Sequence, residues 1–432
     1  MAVSYFCNVC YLDCRANDGP FGFKRFFPCM ERIMKLKKLV ALSSAALIAT
    51  AAAWPAQAEM TVNVGGRIQV DAAVYDEDET DLGDGTEFRR ARIFADGNID
   101  DSWKYKLQID FADNDLSMKD AFVQHSSGLK IGQFKAPFSL EVLTSGKYTT
   151  FMERAMVVDT FAPSRKIGIG WGTKGDAWTF DVMGHGQDAD NQEAPADEGW
   201  GAAGRFTWAA LNNDEMVLHF GGAVSWEQAA NGDTEAFRYR ARPESHVTNQ
   251  RLVDTGRIDG LDYQLRTGLE AAWVWNSLSI QGEYIMTTVE CDDACFDAGS
   301  DSNGDGIDDR LKDDSYDLSG WYAYVSWLTG GNKRAYKDGV FGRTKAKNAW
   351  EFAARWSNID LNDGTGGYDP VTDRVQGLDG GEEDNITLAV NYYVNPYLRF
   401  MFNYIIVDDI SDGPKDGEDP SVFQVRASMD FK

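Results

Sequence analysis

The chain has 432 residues, a formal net charge of -26, 43% hydrophobic and 12% aromatic residues, 42 glycines and only 11 prolines. So acidic a balance excludes a nucleic-acid partner, because a protein that tracks phosphates needs a basic face to neutralise them. Length alone fits either two or three soluble domains or one large β-barrel, so the order of the elements has to decide.

Residues 1–33 hold Cys7, Cys10, Cys14 and Cys29 in a spacing that matches no standard zinc pattern, with no histidine beside them. From Met34 to Ala58 the chain reads as a secretory signal. Lys35, Lys37 and Lys38 precede an apolar run over 39–53, and Ala56-Gln57-Ala58 forms a small-residue cleavage site before Glu59. The apolar run is shorter than the roughly 20 residues a membrane-spanning helix needs. Met34 is therefore the expected initiator, residues 1–33 an upstream extension and residues 59–432 the exported protein. Of the cysteines only Cys291 and Cys295 remain in the exported part, which predicts one small disulfide.

Beyond Glu59 the chain alternates with period two. Val62, Val64, Ile68, Val70, Ala72 and Val74 interleave with Asn63, Arg67, Gln69 and Asp71. In the same way Trp103, Tyr105, Leu107, Ile109 and Phe111 interleave with Lys104, Lys106, Gln108 and Asp110. The pattern predicts sixteen strands, near 61–75, 86–99, 102–111, 118–126, 128–135, 165–174, 176–184, 199–210, 216–226, 261–275, 278–289, 317–328, 348–360, 385–394, 397–408 and 421–431. The connections alternate short and long; the short ones include Gly175 and Asn395-Pro396, with 330–347 as a longer exception, and the long ones are acidic and glycine-rich. A soluble sandwich shows no such asymmetry. An even number of strands, about ten residues each, with short turns at one end and long loops at the other, is the pattern of an outer-membrane barrel. The expected fold is therefore an all-β, 16-stranded antiparallel transmembrane β-barrel. Its apolar face contacts outer-membrane lipid and lipopolysaccharide, and its polar face lines a lumen. Trp103, Trp171, Trp178, Trp273, Trp275, Tyr392 and Phe431, near strand ends, suit interfacial girdles.

The connection from Gly132 to Arg154 stands apart, because Phe138, Leu140, Val142, Leu143, Tyr148, Phe151 and Met152 make it too apolar for an ordinary surface loop. As the third outer loop it is expected to fold inward and narrow the channel, with capping of the mouth as the alternative. The runs Phe88-Arg89-Arg90-Ala91-Arg92, Asp120-Ala121-Phe122-Val123, Gly132-Gln133-Phe134-Lys135-Ala136-Pro137-Phe138-Ser139-Leu140-Glu141 and Phe151-Met152-Glu153-Arg154 carry a resemblance. So do Tyr239-Arg240-Ala241-Arg242-Pro243-Glu244, Gly268-Leu269-Glu270-Ala271-Ala272-Trp273 and Leu328-Thr329-Gly330. Together, in this order, they resemble the phosphate-selective porin O/P family of Gram-negative outer membranes. The resemblance implies a homotrimer of sixteen-stranded barrels, an inward third loop, and a ladder of arginines that draws small anions such as phosphate to a constriction with lysines.

Parity puts Arg67, Arg90, Arg92, Lys104, Lys106, Lys130, Arg205, Arg266, Arg355, Arg399 and Arg426 on the lumen face, nearly balanced by Asp71, Asp96, Asp110, Asp120, Asp181, Glu270, Glu283, Glu351 and Asp430. Arg90 and Arg92 are the strongest local sign of an anion filter, with Arg89 assigned to the opposite face. Lys135 and Lys147 fall in the inward segment. The candidate pore residues are thus Arg90, Arg92, Lys104, Lys106, Lys135, Lys147, Arg266, Arg355, Arg399 and Arg426. The acidic outer loops oppose anions at low salt, so a non-selective or cation-permeable general porin remains the alternative, with an adhesive or structural barrel behind it.

Asp301, Asn303, Asp305 and Asp309 alternate around Gly306 as calcium ligands do, although Lys312 stands where an EF-hand needs its bidentate glutamate. The readings of this loop are a calcium site or a solvated acidic loop, and no cofactor is required. An enzyme is disfavoured, because His125, His185, His219 and His246 are widely spaced and neither HExxH nor GxSxG occurs.

Overall fold

The computed structural model describes residues 60–112, 115–189, 198–229, 237–297, 315–364, 368–369, 374–375 and 377–432, with the backbone alone at 259, 292–297, 368–369 and 374–375. The leader-like segment and the Asp301–Asp309 loop lie outside these residues. The chain makes β1 (Asn63–Asp76), β2 (Gly85–Asn98), β3 (Trp103–Asp110), β4 (Ser117–His125), β5 (Leu129–Lys135), β6 (Arg165–Lys174), β7 (Trp178–His185), β8 (Gly201–Asn212) and β9 (Met216–Gln228). After the two-residue strands β10 (Arg240–Ala241) and β11 (Val253–Asp254) follow β12 (Ile258–Trp275), β13 (Leu278–Asp297) and β14 (Ser315–Leu328). A small hairpin, β15 (Ala335–Lys337) and β16 (Val340–Gly342), leads to β17 (Ala349–Asp363). Another, β18 (Tyr368–Asp369) and β19 (Arg374–Val375), leads to β20 (Leu378–Asn395), β21 (Leu398–Ser411) and β22 (Ser421–Phe431).

Sixteen of these strands form one closed antiparallel barrel, sealed by β22 pairing with β1. Closure leaves no strand edge, which hydrocarbon would otherwise strand without hydrogen bonds at several kcal/mol per group. The expected boundaries hold to within a few residues, except that β20 begins at Leu378 rather than near 385 and that β12 and β13 stay paired out to Ile258↔Asp297. There the apolar alternation has ended and the ladder alone carries the hairpin on. Burial is the reverse of a soluble protein's: Ile68, Ile93, Ile169, Phe206, Leu269, Trp327 and Leu388 are exposed, while Gln69, Arg205, Gln281, Arg355, Asn403 and Arg426 are buried. The second set faces the lumen, so the apolar set faces lipid. Among the expected girdle residues Trp171, Trp178, Trp275 and Phe431 are exposed.

One face assignment is corrected. The register of β1 with β2 slips between Gln69↔Arg90 and Val70↔Phe88, leaving Arg89 as the extra residue of a β-bulge. The bulge turns Arg89 and Arg90 to the same side, so Arg89 joins the lumen face and its Nη2 bonds Glu153 at 2.8 Å.

Three connections pack against the lumen face. The segment between β5 and β6 contains α1 (Leu140–Leu143) and α2 (Met156–Phe161). Its Phe138, Phe151, Met156, Val157 and Phe161 share a buried cluster with Ile285, Tyr322, Ile359 and Ile405 of the wall and Tyr239 and Val253 of the β10–β11 connection. Each such side chain contributes about 1.5–3 kcal/mol on full burial. From the short-turn end the β15–β16 hairpin enters as well, and its Phe341 packs with Leu140 of α1 and with Val217 and Val274.

A basic cavity beside the inward segment

The inward segment is held by hydrogen bonds from the wall rather than by its own regular structure. Ser139 caps α1, its hydroxyl accepting from Val142 N, and the Glu283 carboxylate of β13 accepts from Leu140 N at 3.0 Å and Glu141 N at 2.7 Å. Arg399 of β21 donates to Thr149 O at 2.7 Å, and Asn391 of β20 to Thr150 O at 2.8 Å. Arg355 of β17, fully buried, pairs with Glu244 of the β10–β11 connection, donates to Glu153 O at 3.1 Å and lies 3.7 Å from Glu141. Arg426 of β22 clamps Asp71 of β1 at 2.7 and 2.6 Å, reaches Glu153 at 2.5 Å and donates to Met152 O. Burial alone would raise the Glu153 carboxyl, but Arg89, Arg426 and Arg90 outweigh it and hold the group well below the ordinary glutamate range.

These anchors press the segment against β13–β22 and leave an open cavity of about 720 Å³ along β1–β6. Its wall supplies Arg67 of β1, Arg90 and Arg92 of β2, Lys106 of β3, Lys130 and Lys135 of β5, Arg165 of β6 and the terminal Lys432. The inward segment adds Lys147 and Arg154 and the β15–β16 connection adds Arg343, while Asp96, Asp120 and Asp159 are the carboxylates among the lining residues beside these eleven cations.

Several of the cations are neutralised in place. Arg92 pairs with Asp110 at 2.5 Å, Lys106 and Arg165 share Asp120 at 2.5 and 2.7 Å, and Lys432 pairs with Asp96 at 3.0 Å. Arg343 pairs with Asp430, which also lies 3.5 Å from Lys147. Others have no carboxylate partner. Among the described residues Arg67, Lys130, Lys135 and Arg154 form no ion pair, and Arg67 Nε and Nη1 are buried without a hydrogen-bond partner. Lys135 and Arg154 donate to backbone carbonyls around the end of α1. Arg90 bonds Gln69 at 2.8 Å and stands 3.9 Å from a Glu153 already taken by Arg89 and Arg426.

Of the ten candidate pore residues, the structure brings Arg90, Arg92, Lys106, Lys135 and Lys147 together around this cavity. Lys104 lies apart, in a cavity of about 600 Å³ at the short-turn end with Lys174, Asp181 and Asp338. Arg355, Arg399 and Arg426 anchor the inward segments, and Arg266 pairs with Glu227 at 3.0 Å on the opposite wall.

The family description "Phosphate-selective porin O and P" matches residues 62–431. The chain belongs to the phosphate-selective porin O and P family. Porin O of Pseudomonas aeruginosa is 26% identical over 389 residues, covering 80% of this chain and 83% of that protein. An uncharacterized protein of Caulobacter vibrioides is also 26% identical, over 394 residues, covering 85% of this chain and 73% of that one. In fold, OmpF of Salmonella typhi in complex with daunomycin superposes with a TM-score of 0.51 at 11% identity, covering 86% of this chain and 97% of that one. The protein is thus an outer-membrane porin, and its lumen is a channel.

Sequence reasoning did not assign Arg154, Arg165, Arg343 or Lys432 to the porin's cavity. Parity fails at a strand's first residue, in a loop and beyond the last strand, and these four occupy such places. Cys291 is disulfide-bonded, while the side chain of Cys295 and the calcium-loop residues Asp301, Asn303, Asp305 and Asp309 lie outside those described.

Proposed function

We propose that this porin passes small anions by diffusion, inorganic phosphate among them, and that the cavity along β1–β6 is where anions are preferred. The observation that carries the reading is the set of cations there without a carboxylate partner: Arg67, Lys130, Lys135 and Arg154, with Arg90 beside them. In a narrow space with low-dielectric walls and little screening, uncompensated positive charge concentrates anions and repels cations. Guanidinium groups also suit tetrahedral oxyanions, to which they donate paired hydrogen bonds. The family name points the same way, and assembly as a homotrimer belongs to the same proposal.

The test is the reversal potential of the purified porin in a planar bilayer under a potassium chloride gradient. The wild type is expected to reverse on the anion side, and Arg67→Gln with Arg90→Gln to move it toward cations. A wild type that reverses on the cation side would replace this reading with that of a general, cation-permeable porin.

A further inference from the structure

Lys130 is held unlike the paired cations of the cavity. Its ammonium lies 4.0 Å from the centroid of the Phe122 ring and 4.2 Å from that of Phe134, and the two rings meet edge-on at 6.1 Å. The backbone is arranged for this. Gly132 stands opposite Phe122 in the β4–β5 register, between Lys130 and Phe134 on the same face of β5. A Cβ at Gly132 would lie 2.2 Å from Ala121 O, and its φ of +125 suits glycine alone, so this approach of β5 to β4 beside Phe122 requires glycine. Phe134 in turn lies over Gly170, where a Cβ would come within 3.0 Å of its ring. Next to this group Lys106 and Arg165 share Asp120.

A carboxylate partner fixes a lysine and cancels its charge. An aromatic ring fixes it through its quadrupole and cancels nothing, because the ring carries no net charge. We infer that Lys130 is an oxyanion-binding residue of the channel and that Phe122 and Phe134 are its positioning residues, holding the ammonium toward the cavity without a carboxylate partner. The inference rests on the anion-channel reading and adds to it a defined site on the β5 wall. It also separates two kinds of lysine in one cavity: Lys106, which shares Asp120 with Arg165, and Lys130, which has no carboxylate partner.

Inorganic phosphate is the probe, and its block of chloride current through the reconstituted porin is the readout, together with the reversal potential. Lys130→Gln is expected to raise the half-blocking phosphate concentration about fivefold and to move reversal toward cations. Lys106→Gln should weaken phosphate block less than Lys130→Gln does, because the ammonium it removes already faces Asp120. Phe122→Leu with Phe134→Leu keeps the bulk and removes the rings, so it should weaken block as Lys130→Gln does, while conductance at 1 M potassium chloride stays at the wild-type value. Phe122→Tyr, which keeps the ring face, should retain wild-type block. If the wild type is anion-preferring and Lys130→Gln changes neither readout, the site is refuted and the channel reading stands. If the leucine pair behaves as wild type, the positioning role is refuted. A wild type without anion preference would overturn the channel reading itself.

Discussion

Glu153 is where three guanidiniums converge: Arg89 takes both its oxygens at 2.9 and 2.8 Å, Arg426 reaches it at 2.5 Å and Arg90 lies at 3.9 Å. Its carboxyl is held below the ordinary range, so the folded state favours the ionised form more than the unfolded chain does. The resulting stabilisation is fully present above the unfolded value of about 4.3 and is lost only as pH falls through the lower folded value. Thermal unfolding of the wild type against Glu153→Gln, measured from pH 7 downward, should therefore show a constant difference down to about pH 5 and a shrinking one below it. A difference that vanishes above pH 5 would remove Glu153 from the anchor. The sequence indicates part of this centre. Arg90 and Arg426 follow from parity, but Arg89 does not, because a single inserted residue in β2 reverses every face assignment on one side of it and leaves no mark in composition.

The strands were legible because lipid on one side and water on the other impose period two over a whole strand length. The inward elements are less so. The apolar content of the segment from Gly132 to Arg154 reveals that it must be sheltered, and its partners Glu283, Arg355 and Asn391 come from strands more than a hundred residues away, which no local pattern encodes. The β15–β16 connection is visible in the sequence only as a turn longer than its neighbours, yet it carries Phe341 against Leu140 and places Arg343 on Asp430 and beside Tyr148. Replacing 335–342 with a short turn should widen the channel from the short-turn end and raise single-channel conductance in 1 M potassium chloride, while the barrel still resists heat in detergent. Deleting 139–150 should raise conductance too, and should also reduce anion preference because Lys147 goes with it. Conductance unchanged in both variants would move the narrowest point to the wall residues.

At the scale of the whole molecule two regions of opposite charge stand apart. Asp379, Asp412 and Asp416 line a cavity among the long loops, and Lys and Arg side chains line the one along β1–β6. Exposed charge of that kind acts over about 30 Å at 0.01 M salt and about 3 Å at 1 M. Current–voltage curves should accordingly be asymmetric at 0.01 M potassium chloride and symmetric at 1 M, with anion preference surviving the change because the cavity is less screened than the rim. Equal asymmetry at both concentrations would mean that shape rather than charge causes it. The seam between β1 and β22 bears on how this molecule comes into being. Arg426, six residues from the end of the chain, bonds Asp71 of the first strand across 355 positions and in the same grip holds Met152 O and Glu153 of the inward segment. Contacts so distant in sequence form late in folding, after the loop-closure entropy between them has been overcome. One residue at the closing seam therefore also ties down the inward segment, alongside the anchors on β13, β17, β20 and β21. A half-assembled porin would lack both the β1–β22 ladder and this tie between the seam and the inward segment.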